Sequence, residues 1–508
     1  MLSRAYSAQI VGLKPTIIVV ETDISRGLNS FTIVGLPDKA VQEAKDRIGA
    51  AIKNSNIGAG QVGAKKIVVS LAPADIRKEG PVLDLAIALA HLAAQGRIKA
   101  DMDKRLFLGE LALSGELRPI RGALLLAEKA RKNGFAEVYT PLQNAPEAAL
   151  VDGISVFGAR TLRDVVLHLG GEQQIVAQAE TALPDENHDN SDYLDLSLIR
   201  GQESAKRGLE IAAAGGHNCL MSGPPGTGKT MLARAFAGIL PPLTRAEILE
   251  ITGIHSAAGI LGEGVVTLPP LRTPHHTSSY VAIVGGGAVL KPGEITLAHR
   301  GVLFLDEFPE FEKRVIESLR QPLEDRVISI SRIRDSAQFP ANFILLATMN
   351  PCPCGNKGES RRRCTCSFGE LQKYERKISG PVMDRIDVFL EVPQISYEKL
   401  SDHAVDGESS AIVRERVLSA RKKQRSRFSG TNCTRNAEMG VKELRRFAHL
   451  DTNETTMLNA AAAKLGISAR AYHRTIKLAR TIADLAGRED IQTADLLEAL
   501  QYRGGVVK

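Results

Sequence analysis

The run GPPGTGKT, residues 223–230, constrains this chain more than any other stretch of its sequence. It fits the spacing G-x-x-x-x-G-K-[ST] and stands between a short apolar segment and a helical pattern. In that context glycines let backbone N–H groups approach phosphate oxygens, the lysine reaches the β- and γ-phosphates, and the threonine hydroxyl binds Mg²⁺. The sequence therefore predicts an α/β nucleotide site for ATP and Mg²⁺, formed by Gly223, Pro224, Pro225, Gly226, Thr227, Gly228, Lys229, Thr230 and Met231.

Two further apolar segments end in polar side chains that suit phosphoryl transfer. GVLFLDEF places Asp306 and Glu307 directly after an apolar strand pattern, and NFILLATMN ends in Asn350. Phosphoryl transfer depends mainly on positioning and on charge neutralisation. We therefore assign Asp306 to Mg²⁺ and Glu307 to the activation of the attacking water. Asn350 is placed to orient that water or to sense the γ-phosphate.

The order of these parts resembles the AAA+ ATPases over roughly residues 196–505. The resemblance implies a ring, usually a hexamer, with active sites at subunit interfaces, and it matches Asn350 to the first sensor. It matches Arg385 in SGPVMDRIDVFLEV to the finger that reaches a neighbour's γ-phosphate, and a planar guanidinium suits the spread charge there. Arg470 in ISARAYHRTIKLAR matches the second sensor, with Arg474 as the alternative. For each arginine a surface salt bridge is the alternative interpretation.

Two insertions resemble those of the magnesium-chelatase I subunit and the replicative MCM helicases. One lies between the P-loop and Asp306, and the other, EDRVISISRIRDSAQFPANF, alternates like a hairpin. Both face the central channel in that clade, so Arg332 and Arg334 become candidate phosphate contacts on DNA, with a solvated hairpin tip as the alternative. The formal charge of +7 is compatible with a polyanionic partner. A basic helical face, or only a solvated helix, is predicted from Arg421, Lys422, Lys423, Arg425 and Arg427.

The N-terminal block resembles that of the ComM/YifB family, often labelled magnesium-chelatase-like. The resemblance rests on FTIVGLPDKAVQEAKDRIGAAIKNS and VVSLAPADIRKEGPVLDLAIALAHL, and it extends over nearly the whole chain. This domain looks like the α+β fold of the Lon protease domain, also called S5-domain-2-like, but Val82 stands where Lon has its nucleophilic serine. Valine cannot attack a peptide carbonyl, so we expect a scaffold without the protease.

The family implies an ATP-driven hexameric DNA motor, a helicase or translocase, that promotes branch migration in recombination and natural transformation. A magnesium-chelatase-type remodelling ATPase and a regulatory ATPase without DNA translocation remain as alternatives. The N-terminus does not read as a signal peptide, and no segment has the roughly 18 apolar residues of a membrane span. We expect a cytoplasmic homo-hexamer whose partners are DNA and recombination proteins.

The predicted architecture is multidomain α/β. A protease-dead Lon-like domain spans residues 1–169, and an acidic linker follows at 170–195. The AAA+ core spans 196–393 with both insertions, and a helical lid spans 394–508.

Four of the six cysteines lie in NPCPCGNKGESRRRCTCS, residues 350–367. Cys352, Cys354, Cys364 and Cys366 supply the four thiolates that a closed tetrahedral Zn²⁺ site needs. The Cys-x-Cys spacing is tighter than the usual Cys-x-x-Cys, so a reduced packed turn and a redox device stay open beside structural zinc. With zinc, the loop would fix three candidate DNA or subunit contacts, Arg361, Arg362 and Arg363.

Overall fold

A computed structural model describes residues 2–57, 65–183, 193–262, 264–287, 290–331, 336–358, 363–395 and 407–503. The chain forms two compact units, and each unit has its own buried apolar core. The first unit takes Met1–Asp185, Arg245–Val266 and Val289–Lys291. The second takes Glu186–Thr244, Thr267–Ala288 and Pro292–Lys508.

The first unit is built on a seven-stranded mixed sheet. Its first two strands pair antiparallel as a long hairpin, and Gly12 turns between them with a φ of 66°. Successive side chains of a strand point to opposite faces, and Ala5, Ile18 and Val20 on this hairpin are fully buried. In order across the sheet, the strands are Ser30–Val34, Lys65–Ala72, Lys14–Arg26, Leu2–Val11, Arg105–Phe107, Glu137–Pro141 and Ser155–Ala159.

The helix Asp84–Ala94 is buried over nearly its whole surface, as its continuous apolar sequence requires. Asp84 at its start pairs with Arg47 at 2.9 Å, and burial raises the pKa of Asp84 to about 6 although Arg47 opposes the shift. Val82, just before the helix, packs against two apolar clusters of this unit. The unit also contains Lys39–Asn54, Ala123–Lys132, Ala145–Ala148, Leu162–Leu169 and Arg245–Ala258 as helices, and the strands Glu110–Leu111 and Leu117–Arg118.

Two stretches outside the N-terminal block in sequence pack into this first unit. The Gly122 amide donates to Ser256 Oγ at 2.8 Å, which fastens the helix Arg245–Ala258. Residues 170–183 run beside the last strand of the sheet, where the Gln178 amide donates to Val156 O at 2.7 Å. These bonds bring part of the linker segment and part of the first insertion into the N-terminal unit.

The second unit contains a five-stranded sheet in which all neighbouring strands run parallel. Two of its strands are buried at every residue, which is typical of a parallel sheet covered on both faces. Because the strands share one direction, their carboxyl ends meet at one end of the sheet and their amino ends at the other. We call these ends the carboxyl edge and the amino edge. The strands in order are Leu271–Arg272, Val302–Leu305, Ile344–Met349, Cys219–Ser222 and Val388–Glu391.

Helices surround this sheet and continue beyond its last strand. Those within the sheet region are Glu203–Gly215, Lys229–Gly238, Tyr280–Val284, Glu294–Leu297, Lys313–Ser318, Arg320–Asp325, Phe368–Glu375 and Gly380–Met383. Those beyond it are Ser410–Arg427, Val441–Phe447, Thr452–Leu465, Ala469–Leu485 and Thr493–Gln501. Short strands lie at Gly285–Gly286, Lys291–Pro292, Val327–Ser331 and Ser336–Pro340. Over the described ranges, every helix is too short or too polar to cross a bilayer.

Candidate active site

The phosphate-binding loop, residues 223–228, begins at the carboxyl edge and leads into the helix Lys229–Gly238. Gly226 and Gly228 have φ angles of 77° and 90°, which glycine adopts without steric cost. At Gly223 a Cβ atom would lie only 2.2 Å from Val392 O. The three glycines are therefore required by the turn and by the close approach of two backbones.

The Lys229 ammonium lies inside this loop and is bonded to neutral oxygens. Its Nζ donates to Gly223 O at 2.6 Å, to Pro224 O at 2.8 Å and to Asn350 Oδ1 at 3.3 Å. The residue is 8% exposed, and burial lowers the pKa of Lys229. Because these bonded partners carry no charge, the ammonium charge remains available to an anion at the start of the helix.

Asp306 and Glu307 follow the strand Val302–Leu305, and Thr348 on the adjacent strand bonds to both. Asp306 accepts hydrogen bonds from Thr230 Oγ1 at 3.0 Å and from Thr348 Oγ1 at 2.5 Å. The Glu307 amide donates to Thr348 Oγ1 at 3.0 Å, with a φ of 53°, while its side chain is 55% exposed. A left-handed non-glycine residue persists where its surroundings fix it. Thr348 thus directs Asp306 towards Thr230 and leaves the Glu307 carboxylate open to solvent.

A cavity of about 980 Å³ opens beside Thr230, Asp306 and Glu307. Met231 lines it, as do two imidazoles, His275 and His276, whose ring centroids lie 4.2 Å apart with the ring planes tilted by 32°. His276 Nδ1 is 3.9 Å from Glu307 Oε2. Polar groups that converge on a cavity at the carboxyl edge of a parallel sheet form the usual ligand site of such folds.

The residues at this edge suit ATP and Mg²⁺. An ammonium, a glycine-rich turn and the amide groups of a helix start together form a phosphate site. Mg²⁺ prefers oxygen ligands, and the Thr230 hydroxyl and Asp306 carboxylate supply two oxygens only 3.0 Å apart. Sequence reasoning had identified all of these groups, and the structure brings Lys229, Thr230, Asp306 and Asn350 together.

The predicted arginines lie at the other end of the sheet. Arg385, Arg470 and Arg474 line a separate cavity of about 320 Å³, together with Asp387. Asp387 directly precedes the strand Val388–Glu391, so this cavity lies at the amino edge. The structure therefore groups the finger candidate with both second-sensor candidates, and separates all three from the phosphate-binding loop of the same chain.

Intramolecular bonds already engage two of these arginines. Arg474 donates to Asp387 Oδ1 at 2.5 Å and to Arg385 O at 3.2 Å, and Arg385 itself pairs with Glu324. Burial of Asp387 favours its neutral form, but Arg474 and His217 outweigh that effect and hold the pKa of Asp387 well below its usual range. Arg470 is exposed at the start of its helix.

The four cysteines of the Cys-x-Cys loop come together. The Sγ atoms of Cys352, Cys354 and Cys364 lie 3.4, 3.7 and 3.7 Å apart, and all four Sγ atoms, with Cys366, lie within 4.8 Å of one another. A tetrahedral Zn²⁺ with Zn–S bonds of about 2.3 Å holds sulfurs about 3.8 Å apart. The backbone amide of Asn356 donates to Cys354 and lowers the pKa of that thiol to about 6, whereas burial raises the pKa of Cys352.

Most of the predicted DNA contacts fall outside the described residues, namely Arg332, Arg334, Arg361 and Arg362. The strands that flank the first pair, Val327–Ser331 and Ser336–Pro340, run antiparallel with Ser331 opposite Ser336. Arg363 is exposed next to Cys364.

The basic pattern of the helix Ser410–Arg427 requires a correction, because two of its arginines have structural roles. Arg421 is 7% exposed and donates to Ala213 O at 2.9 Å. Arg427 pairs with buried Asp484 at 2.5 Å. Charge counted along the sequence did not reveal these partners, which lie far along the chain.

Thr348 is a site residue that sequence reasoning missed. It lies two residues before Asn350 on the same strand, and that strand is the immediate neighbour of the one that ends before Asp306. The signal was a hydroxyl residue within an otherwise apolar strand, at the end where the predicted sensor stands.

Three family models match the chain in sequence. "Magnesium chelatase, subunit ChlI" matches residues 195–400, "Subunit ChlI of Mg-chelatase" matches 20–144, and "Magnesium chelatase, subunit ChlI C-terminal" matches 407–503. Together with the parallel sheet and the helical C-terminal region, these matches define the class as magnesium-chelatase-like AAA+ proteins.

Two full-length relatives narrow this class. The chain is 43% identical over 511 residues to Competence protein ComM of Haemophilus influenzae, covering 99% of this chain and 98% of the relative. It is 42% identical over 506 residues to YifB of Escherichia coli, covering 99% and 97%. The chain therefore belongs to the ComM/YifB family. A magnesium-chelatase 67 kDa subunit of Heliobacterium mobile is 26% identical over 241 residues, covering 41% of this chain and 36% of that subunit.

Proposed function

We propose that this protein is an ATP-driven DNA motor, a helicase or translocase, that promotes branch migration during homologous recombination. The convergence of Lys229, Thr230, Asp306 and Glu307 at one edge of the sheet carries the ATP part of this proposal. The similarity to a protein named for competence supports a role in the integration of incoming DNA during natural transformation. The proposed location of this activity is the cytoplasm.

In the proposed reaction, residues of this chain bind the phosphates and Mg²⁺, orient the attacking water and accept its proton. Lys229 binds the β- and γ-phosphates, and Thr230 and Asp306 hold Mg²⁺, which neutralises phosphate charge when bound. Glu307 accepts the proton of the attacking water, and Asn350 orients that water. The exposure of the Glu307 carboxylate and the bond between Asn350 and Lys229 support these two roles.

We propose a homo-hexamer in which neighbouring subunits complete each active site. Arg385 and Arg470 stand at the amino edge, a full strand length from the phosphate-binding loop at the carboxyl edge. That separation supports action of Arg385 as the finger, and Arg470 as the second sensor, on the nucleotide of an adjacent subunit. A guanidinium can supply a large part of phosphoryl-transfer catalysis from such a position.

DNA contacts in this proposal are made mainly to phosphates. The chain lacks tryptophan and has only 4% aromatic residues, so stacking platforms are a poor explanation for nucleic-acid binding. Arginines near the hairpin turn and in the cysteine loop are the proposed contacts, namely Arg332, Arg334, Arg361, Arg362 and Arg363. Recombination proteins are the proposed further partners.

A branch-migration assay on synthetic Holliday junctions tests the proposal. We expect ATP-dependent migration by the wild-type protein and none by Lys229→Ala, whereas Lys464→Ala, an exposed lysine on the helix Thr452–Leu465, serves as the matched control. The double variant Arg332→Glu/Arg334→Glu should lose DNA-dependent activity and keep ATP binding. Wild-type protein that hydrolyses ATP but never moves a junction would contradict the DNA part alone.

A magnesium-chelatase-type remodelling ATPase is the second candidate, because all three matching family models carry that description. ATPase rates separate the candidates. Stimulation by four-way DNA and not by chelatase partner subunits supports the motor, and the reverse supports the chelatase role. If neither four-way DNA nor the partner subunits change ATP turnover, a regulatory ATPase is the remaining candidate.

We also propose that Cys352, Cys354, Cys364 and Cys366 hold a structural Zn²⁺. The sulfur distances of 3.4, 3.7 and 3.7 Å among Cys352, Cys354 and Cys364 support this site, and a reduced packed turn would not require them. Metal analysis of purified protein should give about one zinc per chain, the stoichiometry of a closed four-thiolate site. A value well below that would contradict the proposal.

A further inference from the structure

The cysteine loop lies directly against the phosphate-binding loop. Gly355 follows Cys354 with a φ of 81°, and a Cβ atom at Gly355 would lie 2.7 Å from Pro225 Cδ and 2.9 Å from its Cγ. Carbon atoms that are not bonded pack at about 3.5–4.0 Å, so no side chain fits between these two loops. Pro225 therefore rests on bare backbone that only glycine provides here.

The cysteine turn itself is fastened at several points. The Gly355 amide donates to Cys352 O at 2.9 Å, and the Lys357 amide donates to Cys352 Sγ at 3.3 Å. Cys352 is fully buried, so its sulfur ties the turn into the interior of the unit. The position of Gly355 thus depends on the arrangement around a cysteine sulfur that belongs to the proposed metal centre.

A second connection joins the same two loops. The Gly223 amide donates to Met349 O at 3.3 Å, and Asn350 accepts a hydrogen bond from Lys229 at the start of the cysteine loop. The phosphate-binding loop is therefore held by the strand Ile344–Met349 on one side, and it meets the turn at Gly355 through Pro225. Proline has no N–H group, so Pro225 contributes shape and not a hydrogen bond to phosphate.

We propose that the cysteine centre forms a wall of the nucleotide site, and that metal bound there sets the conformation of the phosphate-binding loop through the contact between Gly355 and Pro225. Gly226 and Gly228 give that loop many alternative conformations when it is unsupported, and ordering them lowers the affinity for a ligand. A fixed wall removes part of this ordering before ATP arrives. Gly355 is accordingly a positioning residue, and metal occupancy is a condition of tight nucleotide binding. This inference rests on the proposed ATP and zinc sites.

Two glycines of the same loop provide a matched test. Gly355 and Gly358 both have a φ of 81°, so an alanine meets the same backbone strain at either position. A Cβ atom at Gly358 has nothing within 4 Å, whereas one at Gly355 meets the Pro225 ring. The dissociation constant of a fluorescent ribose-labelled ATP analogue should therefore rise about tenfold in Gly355→Ala, equivalent to about 1.4 kcal/mol, and less than about twofold in Gly358→Ala.

Zinc content and thermal unfolding are measured on the same samples. Gly355→Ala should keep its zinc and unfold at the temperature of Gly358→Ala, so that weaker binding reports on the loop contact. Equal affinities in the two variants would overturn the inference. If the wild-type protein binds no ATP analogue, the proposed function itself fails, which is a different outcome from equal affinities.

Removal of the metal tests the other half of the inference. Wild-type protein treated with a zinc chelator, and Cys354→Ser, should both lose zinc and bind the ATP analogue about tenfold more weakly. Zinc added back to the chelator-treated protein should restore the affinity. Protein that has lost its zinc and still binds the analogue as tightly as before would contradict the role of the metal, while the comparison of the two glycines still tests the contact.

Discussion

The two edges of the parallel sheet use charge in opposite ways. At the carboxyl edge Lys229 is bonded to neutral oxygens, and the Glu307 carboxylate is open to solvent. At the amino edge Arg474 is bonded to buried Asp387, and Arg385 is paired with Glu324. One edge offers its charges to a ligand, and the other neutralises most of its charges internally.

The two edges therefore have different roles in the protein. A buried ion pair fixes geometry, and breaking it by removing one partner is strongly destabilising. The bond between Arg474 and Asp387 therefore holds the amino edge in shape. Arg385 pairs with Glu324, an exposed glutamate that water or another ligand can replace. The Arg470 side chain is itself exposed. In the proposed ring, Arg470 is the more accessible of these two arginines, because the Arg385 side chain is only 12% exposed.

Glu307→Gln at the carboxyl edge should have a large effect on ATP turnover. The amide cannot accept a proton from water, so ATP turnover should fall by about 10²–10⁴-fold, while affinity for ATP stays within about twofold. Glu312→Gln, an exposed acid five residues further on, is the control and should turn over ATP normally. Turnover in Glu307→Gln equal to that of the control would move the catalytic base to another residue.

The next effect is on stability, and Asp387→Asn measures it. Loss of this carboxylate leaves the half-buried Arg474 guanidinium without its counter-charge, so the free energy of unfolding should fall by about 3 kcal/mol. Asp325→Asn, at an exposed aspartate, should stay within about 0.5 kcal/mol of wild type. Urea unfolding curves of the two variants at pH 7 measure this difference. Equal curves would contradict the structural role of Asp387.

The same carboxylate predicts a pH dependence. Because the pKa of Asp387 in the folded protein lies below the value of about 3.9 of an unfolded aspartate, its charge stabilises the fold above that pH. This stability is lost as pH falls below about 5 towards the folded pKa. Unfolding measured between about pH 7 and pH 3 should therefore show a steeper loss in wild type than in Asp387→Asn. Parallel curves would contradict the assignment.

A smaller effect on ATP turnover distinguishes the two second-sensor candidates, Arg470 and Arg474. Arg470→Ala should change the free energy of unfolding by less than about 0.5 kcal/mol, because the side chain is exposed, yet it should lower ATP turnover by about tenfold. Arg474→Ala should instead lower stability, because it removes the guanidinium that pairs with buried Asp387. If Arg470→Ala retains full turnover, the second-sensor role passes to Arg474 or to neither residue.

The sequence predicted those positions that depend on residues close together in the chain. The phosphate-binding loop and the acids after the strand Val302–Leu305 follow from local spacing and from strand direction. It failed where distant segments meet. Thr348 donates a hydrogen bond to Asp306 from the adjacent strand. Gly355 contacts Pro225, which lies about 130 residues away in the chain. Arg427 looked like a surface charge because Asp484, its partner, lies on another helix.

The family resemblance was likewise sound at the scale of the whole chain, as the full-length matches show. It did not predict that Arg385 and Arg474 share a cavity, because that grouping depends on how a helix near the C-terminus packs on the amino edge. Packing of that kind is set by tertiary contacts and not by spacing.

Mixing of two inactive variants tests most directly whether the two edges complete each other across subunits. Lys229→Ala disables the carboxyl edge, and Arg385→Ala disables the amino edge and should lower turnover by about 10³-fold or more. In a random ring of equal parts, roughly a quarter of the interfaces join an intact carboxyl edge to an intact amino edge. We predict that ATP turnover in the mixture rises to roughly a quarter of wild type. A mixture no more active than the average of the two variants would contradict the proposal that neighbouring subunits complete each active site.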